Sequence, residues 1–400
     1  MDISKFKDQK TGRIVAISTP EKDFAFVPDP LPAKWDFETK LWPLLAEAKQ
    51  CLGLLNGVAT ILPNPQLFLK PLQRIESLTS SRLEGTFATA QELMLFELNP
   101  KDSQSAHDPS NAWREVNNYN LALAQGFREL EKLPLCLRLV NDLHKTLLDD
   151  VRGSSKNPGQ FRTHQVHIGS NRRYVPPPQS EMMNCLYALE EYLNGPDDTQ
   201  DPLVRCFIAH YQIEAIHPFS DGNGRIGRVL LSLMIYKWCK LEMPWLYLSP
   251  FFERYKDEYI DNLFKVSAEG AWSNWIEFCL RGVIDQATKA ARTCKKLQLI
   301  RLDMHARTES DCSARIHSII EGLFDSPLVR VADLARKLNV RYQTAKADVS
   351  YLVKKGILSE LDDMNVKTFY APEIFTTAYV ENQDATESAS EAQSTEGIAP

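Results

Sequence analysis

The sequence has 400 residues, 44% hydrophobic and 24% charged, enough for a sizeable core divided among about two or three domains. A net charge of -6 and a pI near 5.8 argue against a protein that coats nucleic acid. The eight cysteines are scattered without a CxxC pair, and neither a leader-like segment nor a long apolar run is present, so we expect a cytoplasmic protein with no membrane partner.

The first part of the chain is predicted to be helical after an extended start. A short strand is predicted from Arg13 to Ser18. The prolines of PDPLPAKW, residues 28–35, predict an extended arm that packs on a domain surface. From about Leu41 to Leu148, apolar residues recur at every third or fourth position, which is the period of amphipathic helices.

A β-rich segment interrupts the helices at residues 159–179. The run Gln165 to Ile168, a polar turn and a second run at Tyr174 and Val175 predict an isolated hairpin. Such a hairpin is marginal in water and must lean on the helical body, although a connecting loop fits the segment equally well. Helical periodicity then resumes at Met182 to Asn194, Pro202 to Ile216, Ile226 to about Lys240, and Tyr255 to about Ile300 with a break near Gly270.

A different unit follows from about Ser313 to Pro372. Its predicted helices are Ala314 to Leu323, Val331 to Leu338 and Tyr342 to Lys354, followed by a short hairpin. This order resembles a winged helix-turn-helix domain.

The resemblance raises DNA as a partner for this unit. The residues that would begin its recognition helix are Arg341, Gln343, Thr344 and Lys346. However, Asp348 lies in the same helix, and nine Lys/Arg stand against seven Asp/Glu in the unit. We therefore favour a protein-contact role over DNA binding.

The densest group of chemically useful side chains is AIHPFSDGNGRIGR, residues 215–228. Pro218 stops the preceding helix, which places His217 at a helix end as a base usable near neutrality. Gly222 and Gly224 allow main-chain N–H groups to converge on an anion, and a new helix adds its positive N-terminus. The segment therefore predicts a base beside an anion-binding loop.

Charged side chains complete this pattern. Arg225 and Arg228, three residues apart, lie on one helical face and are expected to point at phosphates. Asp221 is the sole acid of the loop, and one carboxylate with phosphate oxygens commonly holds Mg²⁺. The glycines also spell GxGxxG, but a dinucleotide fold requires a strand before them, whereas the residues here are helix-periodic.

At these residues the sequence resembles the Fic family, whose signature is HPFx(D/E)GNGRxxR. Its defined positions are matched by His217, Pro218, Phe219, Asp221, Gly222, Asn223, Gly224, Arg225 and Arg228. The resemblance implies an all-α fold, a Fic-type helical bundle with a β-hairpin flap, in which His217 deprotonates a target hydroxyl. It also implies ATP as substrate and Mg²⁺ on Asp221. The loop residues expected to bind ATP are Gly222, Asn223, Gly224, Arg225, Ile226, Gly227 and Arg228.

The family also places a flap before the motif, where it aligns the target segment by strand addition. Gln165 to Gly169 with Tyr174 to Pro177 stands at that place. The expected contacts with target and nucleotide are Val166, His167, Ile168 and Gly169. Downstream, Tyr259 matches a loose position for an aromatic residue against adenine, with core packing as an equal alternative.

An upstream segment resembles the family's inhibitory pattern (S/T)xxxE(G/N). It is Ser80-Ser81-Arg82-Leu83-Glu84-Gly85, at the end of a predicted helix. A salt bridge from Glu84 to Arg228 would occupy the group that should bind the γ-phosphate. One charge-assisted hydrogen bond of about 1.5 to 3 kcal/mol suffices to lower activity roughly tenfold or more. The alternative is a solvated glutamate at a helix end.

The resulting functional prediction is a protein adenylyltransferase that transfers AMP from ATP to a Ser, Thr or Tyr hydroxyl of a target protein, and to itself, under inhibition by Glu84. Alternatives are the reverse removal of AMP, transfer of UMP, phosphate or phosphocholine, a nucleotide-sensing DNA-binding regulator, and a toxin paired with a separate antitoxin. A homodimer is a further expectation. The predicted domains are an N-terminal Fic-associated helical region (1–115), the Fic catalytic core (116–300), the winged-helix domain (313–372) and an acidic disordered tail (373–400).

Overall fold

The computed structural model describes residues 1–7, 10–18, 22–103, 105, 108–151, 156–196, 200–308, 313–362 and 366–380. These residues are mostly helical, as predicted. The helices of the body are α1 (Trp42–Ile61), α2 (Leu69–Leu83), α3 (Ala90–Leu98), α4 (Ser110–Glu129), α5 (Leu137–Leu147), α6 (Gln179–Asn194), α7 (Pro202–Ile216), α8 (Asn223–Trp238), α9 (Ser249–Arg254), α10 (Lys256–Glu269) and α11 (Trp272–Thr308). Among the described residues, no helix combines the length and apolar character that a membrane span requires.

Helices α7 and α8 pack against each other at the centre of the body. In α7 every residue is buried except Pro202 and Glu214, so this helix is surrounded by the others on nearly all sides. Its start is fixed by Asp201, whose side chain accepts a hydrogen bond from the Leu203 amide (3.0 Å). The predicted helix 202–216 is therefore confirmed to the residue, and α8 begins three residues before the predicted start.

The N-terminal strand is confirmed, and the sequence analysis missed its partner. Strand β1 (Gly12–Ile17) pairs antiparallel with β2 (Asp23–Pro28). The Phe26 amide also donates to the Val175 carbonyl (2.9 Å), so this sheet contacts the second arm of the predicted flap. The arm that follows β2 packs on the body, where the Trp35 indole N–H donates to Ser273 Oγ (3.2 Å).

The predicted hairpin at 165–177 is reduced to a single paired position. Ile168 and Tyr174 exchange backbone hydrogen bonds of 2.8 and 3.1 Å across a turn at Ser170–Arg172. The ladder cannot continue along the second arm because residues 176–178 are prolines and have no N–H group. The Gln165 side chain bridges the arms instead, donating to the Pro176 carbonyl (2.9 Å).

The C-terminal unit has the predicted order of elements. It comprises α12 (Ala314–Asp325), β3 (Leu328–Arg330), α13 (Val331–Lys337), α14 (Tyr342–Lys354), β4 (Ser359–Leu361) and β5 (Thr368–Tyr370), with strand order β3-β5-β4. The third strand, β3, was missed because three residues show no alternation. The expectation for Asp348 also changes, because this residue is buried in the unit and accepts a hydrogen bond from Arg315 Nη2 (2.9 Å). It therefore does not place a negative charge on the outer face of α14.

The predicted start of the disordered tail at residue 373 is wrong for its first residues. Helix α15 (Pro372–Phe375) and a π-helical turn at Thr376–Val380 continue the fold, with Ile374, Ala378 and Tyr379 buried. The apolar residues of this stretch are buried against the fold, which was not expected of an acidic tail. The remainder of the predicted tail, 381–400, lies outside the described residues.

Candidate active site

His217 terminates helix α7 in a left-handed conformation (φ 49°, ψ 62°). Its amide still donates to the Ile213 carbonyl (3.0 Å), while Pro218 prevents another helical turn. Its Nδ1 atom is buried without a hydrogen-bond partner, and burial lowers the pKa of His217 to about 4. The imidazole is therefore neutral at physiological pH and free to accept a proton.

The loop after His217 is braced from inside. Asn223 uses both ends of its amide on Phe219, accepting from its N–H (2.8 Å) and donating to its carbonyl (2.9 Å). The Phe219 ring stacks on His144 at 3.7 Å between centroids. Because His144 Nδ1 accepts from the Gly159 amide (2.9 Å), its Nε2 carries the proton and donates to the Asp221 carbonyl (2.9 Å). Asn223, predicted to bind ATP, thus has its side chain engaged in fixing the loop.

The glycines form the predicted cradle at the start of α8. Gly222 precedes the helix with φ 75°, a conformation that favours glycine. A Cβ at Gly224 would lie 2.3 Å from Glu84 Oε1, and one at Gly227 would lie 2.2 Å from Glu214 Oε1. Both positions therefore need glycine because carboxylates approach the backbone closely.

Ile226 differs from its predicted role. Its side chain is fully buried in the core, and its amide donates to the Gly222 carbonyl (3.0 Å). Ile226 therefore anchors the helix, and its amide is used inside the helix. The N–H groups of the preceding turn, at residues 223–225, are those that a helix start leaves without acceptors inside the helix.

Arg228 and Glu84 form an ion pair across the cradle. Arg228 Nη2 donates to Glu84 Oε1 (2.7 Å) and to the Ser80 carbonyl (3.0 Å), while its Nε donates to Ser80 Oγ (2.8 Å). Burial tends to raise the pKa of Glu84, but the charge of Arg228 outweighs it and the pKa is lowered. The ionised carboxylate therefore stands over the positive end of α8, where an anionic ligand would be expected.

The side chain of Arg225 does not point in the same direction as that of Arg228, contrary to the prediction. It is buried, with Nη1 3.3 Å from Glu115 on α4 and Nη2 3.7 Å from Asp221 Oδ1. Asp221 is about one-third exposed and accepts from the Gly222 amide (2.6 Å). The described residues contain no group of three or more His, Cys, Asp or Glu side chains suited to a metal ion. Asp221 alone therefore fits Mg²⁺ only as one ligand among oxygens that a bound nucleotide brings.

A cavity of about 400 Å³ lies against His217 and the Glu84–Arg228 pair, whereas Asp221 and Arg225 are not among its lining residues. Its walls include Glu84, His217 and Arg228, with Ile168 and Gly169 from the flap, whereas Val166 and His167 are not among its lining residues. The volume suits a small-molecule ligand, since ligand pockets run from about 300 to 1,000 Å³.

Tyr259 is packed in the core and also lines the cavity, while its contact with adenine stays a prediction. It lines the cavity, yet it is almost wholly buried and stacks on Phe252 at 4.5 Å between ring centroids. Its hydroxyl lies 2.9 Å from His210 Nε2. The ring is therefore a fixed part of the cavity wall rather than a mobile side chain.

Three site residues were missed. Arg162 donates to the carbonyls of His217 (2.9 Å), His164 (3.0 Å) and Pro177 (2.5 Å), tying both flap arms to the base, and burial lowers its pKa to about 10. Glu214 lines the cavity, and burial raises its pKa to about 8. The signal for Glu214 was available, since it is the sole acid of α7 and lies one turn before His217.

Lys256 is the third missed residue. Its ammonium group donates to the Leu83 carbonyl (2.7 Å), beside Glu84, and it also lines the cavity. A lysine at the start of α10 gives no signal in the sequence for a contact with the end of α2, so only the fold reveals it.

A helical body with a base and an anion cradle between α7 and α8, covered by a flap, defines the Fic class of folds. Residues 42–128 match the family model described as "Fic/DOC family N-terminal", and residues 134–235 match "Fic/DOC family". The chain therefore contains a Fic/DOC family N-terminal region and a Fic/DOC family region, which agrees with the resemblance of the signature.

Named relatives and solved structures agree with this assignment. The chain is 31% identical over 112 residues to the Protein adenylyltransferase Fic of Drosophila virilis, covering 27% of this chain and 21% of that protein. It is 35% identical over 97 residues to the Protein adenylyltransferase fic-1 of Caenorhabditis elegans, covering 24% and 18%. The match thus spans about a fifth of the length of these curated relatives.

Two solved structures show the same fold at low identity. A Fic family protein from Desulfovibrio desulfuricans G20 superposes with a TM-score of 0.53 at 19% identity, covering 84% of this chain and 97% of that one. Fic-1 of C. elegans, residues 134–508, gives a TM-score of 0.52 at 18% identity, with 65% and 76% covered.

Proposed function

We propose that this protein transfers AMP from ATP to a hydroxyl side chain of a protein target. The observation that carries the proposal is the pairing of a neutral base, His217, with a helix-start anion site in one cavity of about 400 Å³. The relatives named as protein adenylyltransferases support the same chemistry.

In the proposed reaction, the target hydroxyl gives its proton to the imidazole of His217 as its oxygen attacks the α-phosphorus of ATP. A phosphoester bond forms between that oxygen and phosphorus, and the bond from the α-phosphorus to the pyrophosphate oxygen breaks. Pyrophosphate leaves with the electron pair. The residues mainly position the reactants and balance their charge.

The charged groups in the cavity and beside it have proposed tasks. The amides at the start of α8 and the guanidinium of Arg228 would bind phosphate oxygens. Asp221 would hold Mg²⁺, which when bound neutralises phosphate charge. Arg225 is held by Glu115 and Asp221, so we assign it to fixing Asp221 rather than to binding a terminal phosphate.

Glu84 is proposed to inhibit this reaction. Its carboxylate accepts from Arg228 and lies beside the Gly224 backbone, where phosphate oxygens are expected. The Glu84 carboxylate and the triphosphate are both negatively charged and would repel each other at this site. ATP would therefore bind with its phosphates outside the productive position. Removal of the carboxylate therefore makes both Arg228 and the space above Gly224 available to the phosphates.

The flap is proposed to present the target segment. Ile168 and Gly169 reach the cavity wall, and Arg162 fixes both arms relative to His217. A hydroxyl on an extended peptide beside this flap would face the base. A residue of the same chain near the flap is the candidate for self-modification.

The test uses ATP labelled at the α-phosphorus or at the γ-phosphorus, with wild type, Glu84→Gly and Glu84→Gly/His217→Ala. We expect α-label on protein, weak in wild type, at least about tenfold stronger in Glu84→Gly and absent from the double variant. Transfer of γ-label, or α-label in the double variant, would refute the proposal. Circular dichroism confirms that each variant is folded.

A further inference from the structure

Two opposite faces of helix α2 contact different parts of the protein. Glu84 at its end and Ser80 one turn earlier face Arg228. At about 100° per residue, Ile75 and Leu78 lie on the opposite side of the helix, away from the cavity. Contacts on this rear face therefore decide where the front face stands.

Arg74 connects the rear side of α2 to distant parts of the chain. It is buried, and its guanidinium donates to Glu97 Oε2 (2.6 Å), to the Asp325 carbonyl at the end of α12 (2.8 Å) and to the Tyr379 hydroxyl (3.2 Å). The last two partners belong to the C-terminal part of the chain. A buried guanidinium held on several sides is a stiff connection, because losing one partner leaves a desolvated polar group unpaired.

An apolar cluster separate from the main core surrounds this connection. Its buried members come from α2, α3, α4, β3 and the turn after α15, and they are Leu78, Ala90, Leu93, Met94, Val116, Leu328, Ala378 and Tyr379. Below it, Phe68 before α2 packs edge-on against Phe324 of α12, with ring centroids 5.8 Å apart. The inhibitory helix is thus packed on the C-terminal part along its rear side.

We propose that residues 372–380, which we call the C-terminal clamp, hold α2 in the position from which Glu84 reaches Arg228. Displacing the clamp lets α2 withdraw and frees Arg228. The clamp is itself fixed to the body, since Arg307 of α11 donates to both carboxylate oxygens of Glu373 (2.7 and 2.9 Å). This inference rests on the proposed function of Glu84 and assigns its control to a segment more than 280 residues further along the chain.

The front of α2 is held by polar contacts of its own. Glu84 is about one-third exposed and pairs with Arg228, the Lys256 ammonium donates to the Leu83 carbonyl, and Arg82 lies 3.5 Å from Glu253. The packing on the rear side acts together with these contacts in setting the preference for the inhibited position. A molecule that binds the C-terminal unit and shifts the clamp would therefore activate the enzyme.

The test measures α-label self-incorporation in Tyr379→Phe and Tyr379→Ala, each made in wild type and in Glu84→Gly. Tyr379→Ala should raise incorporation in wild type about five- to tenfold, because a shift of roughly 1 to 1.4 kcal/mol in the equilibrium of α2 changes the open population by that factor. Tyr379→Phe, which loses only the hydroxyl near Arg74, should give a smaller rise. In Glu84→Gly neither change should alter the rate, since no inhibitory contact remains to be released.

Hydrogen exchange of the α2 amides gives a readout that does not depend on activity. Tyr379→Ala should speed exchange over residues 75–84, whereas the control Ile357→Ala, at a buried site of the same unit outside the cluster, should not. Unchanged exchange and an unchanged wild-type rate in a folded Tyr379→Ala protein would overturn the clamp. An equal rise in both backgrounds would also overturn it. Absence of label in Glu84→Gly would instead refute the proposed function, and the exchange data would still decide the clamp.

Discussion

At the residue scale, His217 shows how a common side chain is prepared for one task. Its helix-end position comes from Pro218, its neutral state from burial, and its backbone carbonyl is held by Arg162. Arg228 also faces the cavity, but its guanidinium donates a hydrogen bond to Glu84. In the proposed reaction, the site therefore combines a neutral base with an anion site that Glu84 occupies.

The pH dependence of the uninhibited enzyme follows from His217. In the proposed reaction the neutral imidazole is the active form. Because burial lowers its pKa to about 4, we expect activity above that pKa and its loss as pH falls through it. For Glu84→Gly we expect kcat/KM for ATP to hold steady from pH 8 to about 5.5. An acid limb centred at the ordinary histidine value of about 6.5 would contradict the assignment, provided that circular dichroism shows a folded protein throughout.

Arg162 offers a second residue-scale prediction. Arg162→Met removes donors to three carbonyls, so in the Glu84→Gly background the rate of AMP transfer should fall at least about tenfold. ATP affinity measured by calorimetry should change little, because the arginine contacts the backbone of His217 and the flap. The matched control is Arg138→Met, an exposed arginine on α5, which should leave both quantities unchanged. Equal losses in binding and rate would show that Arg162 acts on the nucleotide site instead.

At the element scale, the backbone at the start of α8 is closely approached by side chains. A methyl group at Gly224 would stand beside the Glu84 carboxylate and 2.8 Å from Arg228 Nη1. Gly224→Ala in the Glu84→Gly background should therefore weaken AMP transfer by roughly tenfold or more, because the methyl occupies space that phosphate oxygens need near the amides.

The control for this prediction is Gly57→Ala in helix α1, where an added Cβ meets no atom within 4 Å. It should leave transfer unchanged and stabilise the fold by up to about 1 kcal/mol, the difference in helix propensity. Full transfer activity in Glu84→Gly/Gly224→Ala would show that the nucleotide does not approach this helix start.

The elements also show what sequence reasoning can and cannot supply. Helix α7 was predicted to the residue because Asp201, Pro202 and the His-Pro pair mark its ends by local chemistry. The flap was overpredicted because its β-rich composition outweighed the missing N–H groups of prolines 176–178. The divergence of Arg225 from Arg228 was not predictable, since it depends on Glu115, which lies far away in the chain.

At the scale of the whole molecule, inhibition and architecture are linked. The main core joins the body helices to the C-terminal unit, and the second cluster adds a contact behind the inhibitory helix. Long-range partners such as Tyr379 for Arg74 leave no periodic signal in the sequence, so the clamp emerges only from the fold. The C-terminal part packs on α2 next to the site, and the proposed clamp depends on this packing.

The central claim is that the cavity transfers AMP once Glu84 is removed. Its most direct test is the intact mass of Glu84→Gly after incubation with Mg²⁺ and equal concentrations of ATP, UTP and a phosphocholine donor. We expect the chain to gain the mass of AMP and the gain to disappear when His217→Ala is added. A folded Glu84→Gly protein that binds ATP but gains UMP, phosphocholine, phosphate or nothing would contradict it.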